Sequence, residues 1–178
     1  MELFEAIRNR RSIRSYTEEE VTDEEVNTIL EAATWAPSAC NKQSWRFVVV
    51  RRPETIEKLY KAASYSTQHQ TFVKKAKVVI VVCTDLDIYK TFPRKERALS
   101  LFAIQETAAA TQNLLLAAHA LRLGACWVSL FSEDQVKETL NLPKNTRPLV
   151  IIPLGHTKSK TNPKIRKSLK EVVNYESF

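Results

Sequence analysis

The sequence predicts a single domain of the α+β class spanning residues 1–178, and three observations carry that prediction. A chain of 178 residues has single-domain length and enough residues to bury a core. Stretches with helical periodicity are interrupted by short, wholly apolar runs, Val78–Val82 and Leu149–Leu154, that read as buried strands. Helices and strands alternate irregularly, without internal repeat or low-complexity tract, which favours α+β over a regular βαβ succession.

Taken in order, Leu3, Phe4 and Ile7 recur at helical spacing and predict a short amphipathic helix. Thr22-Asp23-Glu24-Glu25 is a capping box, followed by Val26, Ile29, Leu30 and Ala33 on one helical stripe, and this helix must stop before Pro37. Pro37 to Trp45 reads as a loop, and Phe47–Val50 as a buried strand. Pro53 suits the first turn of a third helix carrying Ile56, Leu59, Tyr60 and Ala63. Between Ser64 and Lys75 the pattern is ambiguous, and from Asp85 to Arg97 a polar and aromatic stretch reads as a lid or insertion. Ser100 to Leu123 is the longest helical pattern, with Gly124 as its C-cap, and suits a central, largely buried helix. Ala125–Phe131 follows as a strand or extended turn, and Ser132 to Gln135 caps a short helix bearing Val136 and Leu140. Pro153 places the last strand at a sheet edge or strand end. A basic tail with Lys158, Lys160, Lys164, Arg166, Lys167 and Lys170 closes the chain.

Composition narrows the function. With 44% hydrophobic and 26% charged residues the chain reads as an ordinary globular protein. The net charge of +7 admits nucleic acid, anionic lipid or a phosphorylated small molecule. The cations are not interleaved with aromatics as a base-stacking platform requires, so nucleic acid is unsupported. The long helix is interrupted by polar residues and does not read as a membrane span. Three dispersed cysteines, Cys40, Cys83 and Cys126, suggest neither a disulfide framework nor a zinc site, and the N-terminus lacks an apolar signal core, so the expected compartment is the cytoplasm. Only two glycines, Gly124 and Gly155, are present. Dinucleotide fingerprints and P-loops need glycine clusters, so any phosphate must be held by side chains.

One stretch offers such side chains. In an extended backbone, Arg10, Ser12 and Arg14 share one side while Arg11 and Ile13 take the other. Two readings stand: an anion clamp, since guanidinium forks and a hydroxyl suit phosphate, or a solvated basic run at a helix C-terminus. Ser38, Asn41 and Gln43 stand just ahead of a strand, equally suited to reading a ligand's polar edge or to capping neighbouring backbone. Reactive groups are scarce. Cys40 has no histidine at a telling spacing, since His69, His119 and His156 are isolated, and metal-ligand spacings are lacking. No catalytic residue and no metal ligand is assigned. The residues point to a binding module or to an enzyme whose cofactor performs the chemistry.

Four separated matches, in order, give a resemblance. They are Arg10-Arg11-Ser12-Ile13-Arg14 after a short helix, Ala36-Pro37-Ser38 with Asn41 and Gln43-Ser44-Trp45, Gly124-Ala125-Cys126-Trp127 after the long helix, and Lys164-Ile165-Arg166 near the end. Together they span most of the chain, which thereby resembles the FMN-dependent nitroreductase family. The resemblance implies a three-layer α/β/α sandwich with a mixed central sheet, assembled as an intertwined homodimer with FMN at the subunit interface. It implies that Arg10, Ser12 and Arg14 hold the flavin phosphate and ribityl chain, with Arg11 beside the ring and Lys164 and Arg166 completing the phosphate site. Pro37, Ser38 and Asn41 of the partner subunit, with Gln43 nearby, would contact the ring region, as would backbone groups of Trp127, Val128 and Ser129. The implied activity is ping-pong electron transfer from NADH or NADPH through FMN to a small-molecule acceptor such as a nitroaromatic or quinone. The alternative on the same fold is a flavin sensor or storage protein with little turnover. The chain departs from the family at Ser44, where proline is usual, at His156, where tyrosine is common, and at Val128 to Leu130, where a glycine often stands.

Overall fold

The computed structural model describes residues 1–64, 69–159 and 164–178, so Lys160 of the basic tail lies outside the described residues. Its centre is β2 (Val78–Asp85), whose unbroken run of β-branched residues is buried on both faces. It pairs with β1 (Trp45–Val50) on one side and β4 (Thr146–His156) on the other, and β4 then pairs with the short β3 (Leu123–Ala125). All three pairings are antiparallel, giving the order β1-β2-β4-β3. Among the described residues, the mixed character implied by the resemblance comes down to one parallel bridge, Ser12 to Ala125.

Alternation along the strands sorts the core into two layers. Val78, Ile80 and Val82 of β2 and Val150, Ile152 and Leu154 of β4 pack with α2 (Asp23–Thr34) and α5 (Ala103–Ala120). Val79, Val81, Cys83 and Ile151 face the other way, against α3 (Pro53–Ala62) and α6 (Glu133–Leu140). This is the three-layer α/β/α arrangement. The Thr22 capping box opens α2, with the Glu25 amide donating to Thr22 Oγ1 at 3.1 Å and the Thr22 amide to Glu25 at 2.8 Å. Pro53 stands in the first turn of α3. At α6 only the Ser132 half of the expected box forms, because the Ser132 amide, which Gln135 would bind in return, donates instead to the Ala62 carbonyl at 2.9 Å.

Local rules mislead at several places. The 47–50 strand is not wholly buried: β1 is a sheet edge with Val49 exposed. Pro153 lies in an interior strand. Its carbonyl accepts from Tyr16 Oη, so its main-chain groups face away from β2, on the side where β3 has already ended at Ala125. No ladder donor is lost there. The 85–97 stretch is anchored at its start, where Tyr89 is fully buried and packs edge-on against Phe92. It continues through α4 (Lys95–Arg97) and a π-helical turn (Ala98–Phe102) into α5.

Gly124 does not cap α5. Arg122, with φ 62°, takes the left-handed position after the helix, and neither glycine has a positive φ. Gly124 and Gly155 are instead cross-strand partners in β3 and β4. A Cβ at 124 would lie 2.5 Å from Ile13 Cγ2, and one at 155 would lie 3.0 Å from Tyr16 Cβ. The two glycines leave the bare floor on which residues 13–16 rest. No helix among the described residues is long and apolar enough to cross a membrane.

Candidate functional site

The arginine-bearing stretch leaves α1 (Leu3–Asn9) and runs along β3. The Ile13 amide donates to the Ala125 carbonyl at 2.9 Å, and this strand-like pairing sets the alternation. Arg10, Ser12 and Arg14 all reach the Cys126 thiol; burial pushes that thiol up, and these three neighbours act in the opposite direction. Ser12 and Arg14 thus lie against this thiol, with Arg10 within electrostatic reach of it. Arg14 also lies 5.5 Å over the Phe72 ring.

The tail contributes a fourth group. Burial lowers Arg10 from the usual guanidinium value, and the charges of Arg11 and Arg166 lower it further, so Arg166 stands within electrostatic reach. Lys164 is exposed and, among the described residues, no bond ties it to the clamp. Among the described residues Arg10, Arg14 and Arg166 make no ion pair with a carboxylate. Behind them Arg10 and Arg11 line a cavity of about 220 Å³ together with Ile13, His119 and Arg122. Among the described residues His119 Nε2 is buried without a partner, and burial followed by the charges of Arg10 and Arg11 lowers this imidazole's affinity for a proton. Gathered cations without carboxylate partners among the described residues fit an anionic group such as a phosphate.

Arg11 departs from the expected place beside a flavin ring. Its Nη1 donates to the carbonyls of Arg8 at 2.6 Å and Arg10 at 2.8 Å, folding it over the end of α1, where free carbonyls attract a cation. Val128 also departs. Its amide donates to Ile151 and its carbonyl accepts from Ile151, so its N–H is committed to β4 and is not available to a ligand. Trp127 and Ser129 flank it, with the indole Nε1 donating to Ser129 Oγ at 2.6 Å.

The second group of expected residues lies elsewhere. Pro37, Ser38, Asn41 and Gln43 sit on a tight turn between α2 and β1, with Pro37, Asn41 and Gln43 exposed. The Gln43 amide donates to Ser38 Oγ at 3.0 Å, and Gln43 Nε2 donates to the Asn41 carbonyl at 3.1 Å. This turn is tied to Glu106 near the start of α5, whereas the clamp lies by His119 near its end. Thirteen residues of helix at 1.5 Å each set these anchor points about 20 Å apart. One chain thus keeps the two groups of expected residues apart.

Glu106 is the residue that sequence reasoning missed. It is 4% exposed, and its carboxylate accepts from Tyr89 Oη at 2.6 Å, the Ser44 amide at 3.0 Å, the Ala39 amide at 3.3 Å and the Ser44 hydroxyl. Its spacing from Ala103 and Ala110, both buried, marked it as core-facing.

The fold and the clamp define a class: an α/β/α sandwich that gathers cations by side chains, without a glycine loop, against the edge of its sheet. The chain belongs to the nitroreductase family, whose profile matches residues 7–69 and 62–156. A Methanothermobacter thermautotrophicus protein with the provisional name NADH dehydrogenase/NAD(P)H nitroreductase is 39% identical over 160 residues, covering 88% of this chain and 78% of that protein. The FMN reductase (NADPH) of Bacillus subtilis is 28% identical over 186 residues, covering 98% of this chain and 73% of that one. Among solved structures, a nitroreductase family protein of Streptococcus pneumoniae superposes with a TM-score of 0.84 at 27% identity, covering 98% of this chain and all of that one.

Proposed function

We propose that the protein is an FMN-dependent oxidoreductase that takes electrons from NADH or NADPH and delivers them to a nitroaromatic, quinone or related small acceptor. The observation that supports this reading is that the segment bearing Arg10, Ser12 and Arg14 is paired along β3, with all three acting on one thiol, Cys126, and with Arg166 within electrostatic reach of Arg10. When bound, FMN supplies hydride acceptance and onward electron transfer in a ping-pong order. Arg10, Arg14 and Arg166 neutralise its phosphate, Ser12 donates to it, and Trp127 and Ser129 border the ring. Lys164 completes the phosphate site once the tail is drawn in by the ligand. The names of the relatives, FMN reductase and NAD(P)H nitroreductase, support the same chemistry.

The site is completed by a second copy of the chain. The two half-sites are held about 20 Å apart along α5, so Pro37, Ser38, Asn41 and Gln43 reach a ring held at the clamp only from a partner. The apolar face of α1 supports this: Phe4 is 70% exposed, with Leu3 and Ile7 beside it, and the tail exposes Ile165, Leu169 and Tyr175. Surfaces of that kind call for cover. Three free cysteines favour a reducing, cytoplasmic setting.

The test is direct. Protein loaded with FMN should be yellow, bleach with NADH or NADPH in an anaerobic cuvette, and recover colour on adding a quinone or nitroaromatic. A protein that FMN cannot tint refutes the reading, whereas tinting without bleaching leaves a flavin-holding protein with little turnover.

A further inference from the structure

We propose that Glu106 is a positioning residue whose carboxylate, with Ser44 and Tyr89, fixes the 38–44 turn in the shape that presents Ser38, Asn41 and Gln43 to the flavin ring. This inference rests on the flavin reading above.

Glu106 is the one acidic residue buried among the described residues, and no cation pairs with it there. Burying a carboxylate is costly unless donors fill its oxygens. Here four donors do so. Tyr89 Oη and the Ala39 amide meet Oε2, while the amide and hydroxyl of Ser44 meet Oε1. Burial first, and then the bond to Glu106 and its charge, push the Tyr89 phenol well above its ordinary range, so it stays a donor. Ser44 has a single hydroxyl proton. With that proton given to Glu106, Thr84 Oγ1 at 2.8 Å must donate to Ser44 Oγ. The order Thr84 to Ser44 to Glu106 is thereby fixed.

What this network grips is the turn. Ala39 and Ser44 are its two ends, and both amides bond to one carboxylate. Between them Cys40, Asn41 and Gln43 have φ values of 50°, 55° and 52°, in the left-handed region that non-glycine residues rarely occupy. A turn with three such residues keeps its shape only if its ends are held. Ser44 matters for the same reason. The proline usual at this position in the family would supply neither N–H nor O–H, which removes two of the four donors, so Ser44 and Glu106 act as a pair in this chain.

Four variants test the proposal: Glu106→Gln, Tyr89→Phe, Ser44→Ala and, as a control on the same helix, Thr111→Val, whose buried hydroxyl bonds only to its own helix. Each is measured for thermal stability, FMN dissociation constant, the visible spectrum of bound FMN, and kcat and KM with 1,4-benzoquinone. Glu106→Gln should weaken FMN binding about tenfold or more, and Tyr89→Phe by a few-fold, since each removes part of a charge-assisted network. Both should shift the bound-flavin spectrum and raise KM more than they lower kcat, while Thr111→Val leaves spectrum and KM unchanged at any melting temperature. If Glu106→Gln does not fold, Tyr89→Phe and Ser44→Ala decide. Variants that lose stability yet keep the wild-type spectrum, FMN affinity and KM overturn this inference alone. A wild-type protein that does not bind FMN overturns it together with the flavin reading.

Discussion

Replacing Gly124 by alanine probes the seat of the clamp. The new Cβ would stand 2.5 Å from Ile13 Cγ2, 3.0 Å from Ile13 Cβ and 3.1 Å from Thr157 Cγ2, against roughly 3.5–4.0 Å for relaxed carbon contacts. Turning Ile13 about χ1 gives little relief, because its Cβ is itself too near and its amide is held by the Ala125 carbonyl. The 12–14 segment must therefore lift from β3. Overpacking of this kind costs about 1–3 kcal/mol, and stretching the Ile13 amide bond adds about 1 kcal/mol. A glycine kept in a strand for no packing reason behaves oppositely, since alanine there gains about 0.5–1 kcal/mol. The sign alone separates the two accounts. A double-mutant cycle with Ile13→Ala sharpens it: removing the obstructing methyl should recover roughly 1–2 kcal/mol relative to the sum of the single changes. Urea unfolding at one protein concentration, with and without FMN, reads both quantities. Additivity, or a stabilised Gly124→Ala, would refute the argument that the glycine exists to seat the clamp.

Other predictions address the remaining layers. Arg10→Ala with Arg166→Ala should weaken FMN binding about 100-fold or more, since each removes a charged hydrogen bond to phosphate. Lys58→Ala with Lys61→Ala, on exposed positions of α3, removes equal charge and should change affinity little, so equal losses would reduce the clamp to surface charge. The bond from Arg147, then its charge, holds Glu133 below the usual carboxylate range. A lowered folded value means stability present above about pH 4.5 and lost as pH falls through the folded value. Both side chains are about 40% exposed, so the contribution is below about 1 kcal/mol. Glu133→Gln should cost that much at pH 7 and progressively less as pH falls below about 4.5, by urea midpoints; a gap independent of pH would contradict the assignment. Thr22→Ala should cost about 1 kcal/mol by removing the α2 cap, and an unchanged thermal midpoint would mean the box is idle.

The features legible in the sequence were those governed by neighbours in the chain. The stripe of Val26, Ile29 and Ala33, the unbroken Val78–Val82 run and the capping box depend on spacing alone, and each formed as expected. The extended course of the Arg10–Arg14 segment was equally local, and it pairs with β3 at Ala125. Glu106 was harder, because a glutamate in a helix is usually solvated, and only its register with Ala103 and Ala110 marked it as buried. Pro153 and Gly124 could not be read locally at all. What excuses a proline in β4 is the early end of β3, and what demands a glycine at 124 is Ile13, more than a hundred residues earlier.

The same distinction recasts the scarcity of glycine. Two glycines in the whole chain exclude a phosphate loop built from backbone amides, and that inference needs nothing from the fold. The fold adds that both glycines stand opposite each other and beneath residues 13–16. They act from below, by letting the segment that bears Arg10, Ser12 and Arg14 lie close against the β3–β4 edge. In a P-loop, glycine brings backbone to the phosphate. In this chain it brings backbone to backbone, and in the function proposed above arginine covers the remaining distance.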